Sequence, residues 1–128
     1  MYKVDKITGD ITLTQGDAGE YSLTGLPTDR PYVAWFAVQD EKRKPVGDEI
    51  SANVENGSVS FAIKDTLTNL FKVKSSEETA TYFAGVKICD ADWYEDTVTV
   101  GNKEDGERIV ITVYPKQVEG GPYINVEQ

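Results

Sequence analysis

The sequence predicts an all-β fold, an antiparallel β-sandwich of about seven strands with one short helix. Short runs in which apolar and polar residues alternate recur along the chain, and segments rich in Gly, Pro, Asn and Asp separate them. Only one segment has the spacing of a helix. The 128 residues suit a single domain. We expect it to comprise residues 1–115, with residues 116–128 forming a C-terminal tail that is ordered only in an assembly.

Three runs in the first third of the chain predict strands. Residues 10–15 and 20–23 alternate apolar with polar side chains, and a Gly-rich turn joins them. Residues 32–38 form the most apolar run of the chain, and their side chains are mainly β-branched or aromatic. We therefore expect a central strand that is covered on both faces, with Trp35 in the core.

The next segment predicts two further strands around a tight turn. Residues 46–54 alternate weakly, so the strand pattern there is less marked. Asn56-Gly57 is a dipeptide that favours a two-residue hairpin turn. Residues 58–63 then alternate again and predict a strand with one buried face.

Residues 65–71 have the spacing of a short helix. Asp65 is expected to be its N-cap, and Leu67, Leu70 and Phe71 fall on one face at i, i+3 and i+4. Because a helix of about two turns is unstable on its own, we expect this face to pack on a sheet.

The last third of the chain supplies the remaining strands. Residues 81–89 and 107–114 alternate clearly, and residues 92–100 predict either a strand or an extended loop. Cys89 is the single cysteine and lies in the first of these runs, so we expect a buried, reduced thiol. The chain has no histidine to act as its base, which argues against a cysteine nucleophile. The strand spacings are typical of an immunoglobulin-like sandwich.

The net charge of the chain restricts the classes of partner that it is expected to bind. With 13 Lys and Arg against 22 Asp and Glu, the formal net charge is −9. A field of this sign repels phosphate backbones and anionic lipids, so we expect neither a nucleic-acid nor a membrane partner. The sequence shows no membrane span and no signal-peptide core, which predicts synthesis in a cytoplasm. No motif predicts a cofactor, a metal site or a catalytic residue, and without histidine we expect no enzyme.

Residues 90–96 contain four carboxylates, with Trp93-Tyr94 among them. Carboxylates bind calcium, but their spacing differs from that of an EF-hand loop, so we favour a solvated turn. A carboxylate pair for glycoside hydrolysis is a weaker alternative, because neighbours on one loop seldom reach the required separation. Trp93 and Tyr94 predict an aromatic platform for a sugar or protein contact or, in the case of Trp93, a lid over the sandwich.

The order of the elements carries a further pattern. It comprises Ile11-Thr12-Leu13-Thr14-Gln15-Gly16-Asp17-Ala18, then Val59-x-Phe61-x-Ile63, residues 65–70 at the helix, and the runs of residues 82–88 and 108–114. This order resembles the N-terminal domain of the phage baseplate upper protein family. The resemblance implies a non-enzymatic structural domain of a phage or prophage tail or baseplate. Its location would be the virion, and its partners copies of itself or other tail or baseplate proteins.

The interaction surface that we expect consists of Trp93, Tyr94, Tyr123, Ile124 and Val126. The last three lie in the C-terminal tail, which could add as a strand to the sheet of a neighbouring subunit. The alternative function is a carbohydrate- or small-ligand-binding module, in which Trp93, Tyr94 and the nearby carboxylates contact the ligand.

Overall fold

Strands dominate the structure, a computed structural model that describes residues 1–92, 98–100 and 108–116. The strands are β1 (Lys3–Val4), β2 (Ile11–Thr14), β3 (Gly19–Leu23), β4 (Tyr32–Gln39), β5 (Ile50–Asn53), β6 (Val59–Ile63), β7 (Ala80–Asp90), β8 (Val98–Val100) and β9 (Ile109–Tyr114). A helix, α1 (Asp65–Thr68), lies between β6 and β7. No helix in these ranges is long and apolar enough to cross a membrane.

The strands form two sheets that face each other. The large sheet has the order β1-β2-β9-β7-β4-β5, with β8 also paired to β7, and the small sheet consists of β3 and β6. The predicted all-β sandwich with one short helix is therefore confirmed. Within the described ranges β2 pairs with β9 in parallel, and the other named pairs are antiparallel.

An aromatic cluster joins the two sheets at the centre of the core. Phe36 of β4 lies between Tyr21 of β3, at a centroid distance of 5.6 Å, and Phe61 of β6, at 5.5 Å. All three side chains are buried, and each removes a large apolar area from water. The predicted inward face of the last strand is confirmed, since Ile109, Ile111 and Val113 are buried.

The prediction for β4 was wrong in one respect. Along Tyr32–Gln39 burial alternates strictly, so Tyr32, Ala34, Phe36 and Val38 face the small sheet and are buried. Trp35 points to the other face of the large sheet and is only partly buried, outside the core. The strand reads as continuously apolar because its outward face also carries apolar side chains, not because a second layer covers it in the described ranges.

The turn predicted at Asn56-Gly57 is confirmed, but it connects the two sheets. Both residues have positive φ, 54° and 74°, as a two-residue turn of this kind requires. The backbone groups of Glu55 and Ser58 exchange hydrogen bonds of 2.8 and 2.9 Å across it. The strands that flank the turn belong to different sheets, since β5 pairs with β4 and β6 pairs with β3.

The helix is shorter than predicted, and two residues have different roles. Its N-cap is Lys64 and not Asp65, which lies in the first turn, where a negative charge is favourable. Leu67 and Phe71 are buried as predicted, whereas Leu70, which follows the end of the helix at Thr68, is 45% exposed. Thr68 anchors the helix by donating a 2.7 Å hydrogen bond from Oγ1 to the carbonyl of Asp17.

Candidate functional site

The outer face of the large sheet contains a cavity of about 440 Å³, which we call the outer-face cavity. Ala37 of β4 and Gly85 of β7 lie directly opposite each other in register, and both line the cavity as its floor. A Cβ added to Gly85 would meet nothing within 4 Å, and the φ of this residue is outside the left-handed region. Neither the backbone nor the packing of the described residues therefore requires glycine here.

Aromatic side chains line the cavity on both sides of this floor. Two residues along the strands in one direction, Trp35 lies opposite Lys87; in the other direction, Gln39 lies opposite Phe83. Trp35 and Gln39 are four residues apart, which at about 3.3 Å per residue separates the two rows by roughly 13 Å. The small floor residues thus leave a depression between two taller rows of side chains.

Arg108, which directly precedes β9, is held in place at the edge of the cavity. Its Cζ lies 3.9 Å from the centroid of the Phe83 ring, a cation–π geometry. Its Nη1 donates a hydrogen bond of 3.1 Å to Oε1 of Gln39. Lys87 and Glu49 also line the cavity, so the described part of the lining contributes two cations and one carboxylate around an aromatic site.

Cys89 lies at the end of the same cavity and is buried, at 3% exposure, as a free thiol. Its Sγ donates a weak hydrogen bond of 3.8 Å to the carbonyl of Val33. The prediction of a buried, reduced cysteine is confirmed.

A second cavity, of about 720 Å³, lies between the edges of the two sheets. We call it the edge groove and define it by Ile50 and Ser51 of β5, Ser60 and Ala62 of β6, and Leu70 after the helix. Within the described ranges β5 pairs only with β4, and β6 pairs only with β3. Two strands with unpaired edges therefore line one groove, and Leu70 contributes an exposed apolar side chain to it.

The other edge of the small sheet is covered. The Tyr2 hydroxyl donates a 3.0 Å hydrogen bond to the carbonyl of Glu20 in β3, and a Cβ on Gly19 would overlap the Tyr2 ring. Burial raises the pKa of Tyr2 to about 12, with smaller contributions from Tyr21 and Glu20. The N-terminal segment thus shields β3, whereas no described segment shields β6.

The acidic segment begins with a structural ion pair. Asp90 is 2% exposed and accepts a 2.9 Å hydrogen bond from Nη1 of Arg30 and a 2.8 Å hydrogen bond from the backbone N–H of Asp92. The predicted solvated turn is therefore wrong for Asp90, because a buried carboxylate needs such partners. In the described ranges no group of three His, Cys, Asp or Glu side chains is arranged to hold a metal ion. Glu95 and Asp96 lie outside those ranges.

The five residues of the predicted interaction surface, Trp93, Tyr94, Tyr123, Ile124 and Val126, lie outside the described residues. Neither Trp35 nor Gly85 was predicted from the sequence to line a binding site. Gly85 did carry a signal, since a glycine inside an alternating strand often marks a close approach of a ligand or another backbone. Trp35 gave no such signal, because both faces of its strand are apolar.

No family model matches the chain, and no curated protein matches it. Among solved structures, a crystal structure of the periplasmic chaperone SfaE matches with a TM-score of 0.49 and 13% sequence identity. The match covers 87% of this chain and 57% of the chaperone chain, so the chain spans a little over half of that neighbour's length.

Proposed function

We propose that this protein is a non-enzymatic structural domain of a phage or prophage tail or baseplate, and that it acts by protein–protein assembly. The observation that carries the proposal is the edge groove, in which the edges of β5 and β6 lie side by side without a second partner among the described strands. Unpaired strand edges present rows of N–H and C=O groups that pair readily with another chain. The phage or prophage part of the proposal rests on the resemblance of the element order to the phage baseplate upper protein family.

The mechanism that fits this groove is strand addition by the C-terminal segment of a neighbouring copy. Residues 118–128 include Tyr123, Ile124 and Val126, of which Ile124 and Val126 are two residues apart and would share one face of an added strand. The described chain ends at Lys116, and its side chain and that of Asn69 both lie within 4 Å of the position that a Cβ on Gly16 would occupy. Asn69 directly precedes Leu70 of the edge groove, so Lys116 lies in the same region of the fold as this end of the groove. Twelve further residues span up to roughly 40 Å, enough to reach a neighbouring copy.

A closed, symmetric oligomer is the expected product of such exchange. Each copy would donate its C-terminal segment and accept another, and a stable contact buries about 800 Å² per partner. The negative charge of the chain is compatible with this arrangement, because strand addition relies mainly on backbone hydrogen bonds and apolar pockets.

The experiment that tests the proposal is the solution mass by size-exclusion chromatography with light scattering, over a range of protein concentrations. We expect a discrete oligomer for the full chain and a monomer after deletion of residues 117–128. Ala62→Lys, which places a charge on the exposed edge of β6 in the groove, has the same expected effect. Ser75→Lys, at an exposed position outside the groove, is the matched control. A monomer at every concentration contradicts assembly between copies of this chain.

A second candidate function is a carbohydrate- or small-ligand-binding module, and the outer-face cavity favours it. Its volume of about 440 Å³ lies within the range of small-ligand sites, and it combines aromatic side chains with a few polar groups. This candidate uses Trp35 and Phe83 in addition to the predicted Trp93 and Tyr94. Saturable binding of a sugar, weakened by Trp35→Ala, supports it; no response to any sugar in a panel contradicts it.

A further inference from the structure

The outer-face cavity has a composition that packing alone does not explain. Gly85 occupies the middle of an eleven-residue strand, where glycine weakens the strand and an added Cβ would have open space. With Ala37 opposite, it keeps the floor low between the rows that contain Trp35 and Phe83. A side chain added at position 85 would project into the depression, and its Cβ would meet nothing within 4 Å. The packing of the described residues therefore does not account for the open space above Gly85.

Arg108 gives this space a fixed cationic group. The stack on Phe83 and the hydrogen bond to Gln39 restrict the guanidinium before any ligand arrives. Arginine has five N–H donors, and among the described residues only Gln39 occupies one of them. Planar guanidinium groups bind carboxylates in a bidentate manner, so the remaining donors suit that group.

The other charged groups at the cavity also favour a negatively charged ligand. Lys87 is exposed and lies opposite Trp35, so the cavity has two cations and, in Glu49, one carboxylate among its described lining. The whole chain has a formal net charge of −9. The described lining therefore carries a local excess of positive charge, which attracts an anionic group to this place although the chain as a whole is acidic.

We propose that the outer-face cavity binds a carboxylate-bearing monosaccharide of the uronic acid type. The carboxylate pairs with Arg108, the sugar ring lies against Trp35, and Gln39, Glu49 and Lys87 exchange hydrogen bonds with the hydroxyl groups. A volume of about 440 Å³ suits one or two sugar rings and is too small for a folded partner. This inference rests on the second candidate function, which it deepens by naming the ligand class, and it is independent of assembly through the edge groove.

The test is titration calorimetry of the full chain with D-glucuronate and D-galacturonate, compared with D-glucose and D-galactose. We expect saturable binding of at least one uronate, at least tenfold tighter than that of its neutral counterpart. Arg108→Gln should weaken uronate binding at least tenfold and remove most of the preference over the neutral sugar. Lys74→Gln removes one positive charge at an exposed position outside the cavity and should leave the affinity unchanged.

Gly85→Val tests the space directly. The Cβ of this variant meets nothing within 4 Å, so we expect it to fold, and a thermal melt followed by circular dichroism checks this for the whole side chain. It should lose uronate binding, whereas Thr112→Val on the same outer face, outside the cavity, should retain it. Unchanged binding by folded Gly85→Val overturns the proposed location.

The outcomes separate this inference from the function on which it rests. Equal binding of uronates and neutral sugars keeps the ligand-binding module and overturns the carboxylate preference. Binding of no sugar overturns both. Tighter binding of N-acetylglutamate amide than of either uronate overturns the sugar assignment, because it makes an acidic amino-acid side chain the better ligand.

Discussion

Arg30 and Asp90 form an ion pair that joins the loop before β4 to the end of β7. Nη1 of Arg30 lies 2.9 Å from Oδ2 of Asp90, and the Arg30 side chain is 43% exposed whereas that of Asp90 is 2% exposed. The pair is therefore asymmetric: one partner can return to water, and the other cannot. Loss of Arg30 would leave a buried carboxylate with fewer partners, which costs more than the pair itself contributes.

We expect Arg30→Met to lower the free energy of unfolding by about 1–3 kcal/mol, the cost of a buried charged group that loses a hydrogen bond. Asp29→Asn is the matched control, because Asp29 also pairs with Arg30 but its side chain is 60% exposed. That variant should leave the free energy of unfolding nearly unchanged, because water screens the charge of an exposed carboxylate. Urea unfolding of both variants decides the matter, and similar effects of the two substitutions would contradict the proposed role of burial.

Two neighbouring residues of β4 provide the next test. Phe36 is 1% exposed and contacts Tyr21 and Phe61 of the small sheet, whereas Trp35 points to the outer face. Phe36→Ala should lower the free energy of unfolding by about 3–5 kcal/mol, because it leaves a cavity in the core. Trp35→Ala should cost about 1 kcal/mol, because it removes a half-buried side chain from a surface. If Trp35→Ala proved as costly as Phe36→Ala, the face assigned to Trp35 would be wrong.

The sequence sufficed for the fold class because the burial of most strands follows a period of two. Ile109, Ile111 and Val113 alternate with polar or less buried neighbours, and the structure buries all three. The same rule failed for β4, where apolar residues occupy both faces and the pattern no longer indicates which one is inward. Trp35 was assigned to the core for that reason.

The candidate sites depend on contacts between residues that are distant in sequence, which a pattern of spacing does not reveal. Asp90 belongs to a run of acidic residues, and its partner Arg30 lies 60 positions earlier in the chain. Arg108 and Gln39 are 69 positions apart, and only the pairing of β7 with both β4 and β9 brings them together. The composition of the chain thus indicated which residue types were available, but the sheet topology determined which of them meet.

The raised pKa of Tyr2 predicts that the folded protein loses stability at high pH. Desolvation by burial is the largest cause that raises its pKa from 10.0 to about 12, followed by Tyr21 and Glu20. The unfolded chain loses the Tyr2 hydroxyl proton near pH 10, whereas the folded chain keeps it. The stability that the protonated Tyr2 contributes to the folded state is therefore complete below pH 10. It is lost as the pH rises through about 12.

The measurement is the urea midpoint of the wild-type protein and of Tyr2→Phe between pH 8 and pH 12. Other tyrosines also have a raised pKa, among them Tyr21 and Tyr82, so both proteins should lose stability over this range. The wild type should lose more, and the difference between the two proteins should narrow as the pH increases. A difference that stays constant up to pH 12 would show that the Tyr2 hydroxyl does not titrate differently in the two states.

Alanine substitutions at Gly57 and Gly25 test whether the contact between Gly57 and the Leu26 backbone stabilises the turn between the two sheets. Both have positive φ, 74° and 72°, so an alanine at either position should cost about 1–2 kcal/mol in backbone strain. A Cβ on Gly25 would meet nothing within 4 Å, whereas a Cβ on Gly57 would lie 2.9 Å from the carbonyl oxygen of Leu26. Gly57→Ala should therefore lower the free energy of unfolding clearly more than Gly25→Ala in urea unfolding. The Leu26 backbone cannot move aside freely, because its N–H donates a 2.9 Å hydrogen bond to the carbonyl of Gly57. Equal losses would mean that this contact between the turn and the loop before β4 yields without cost.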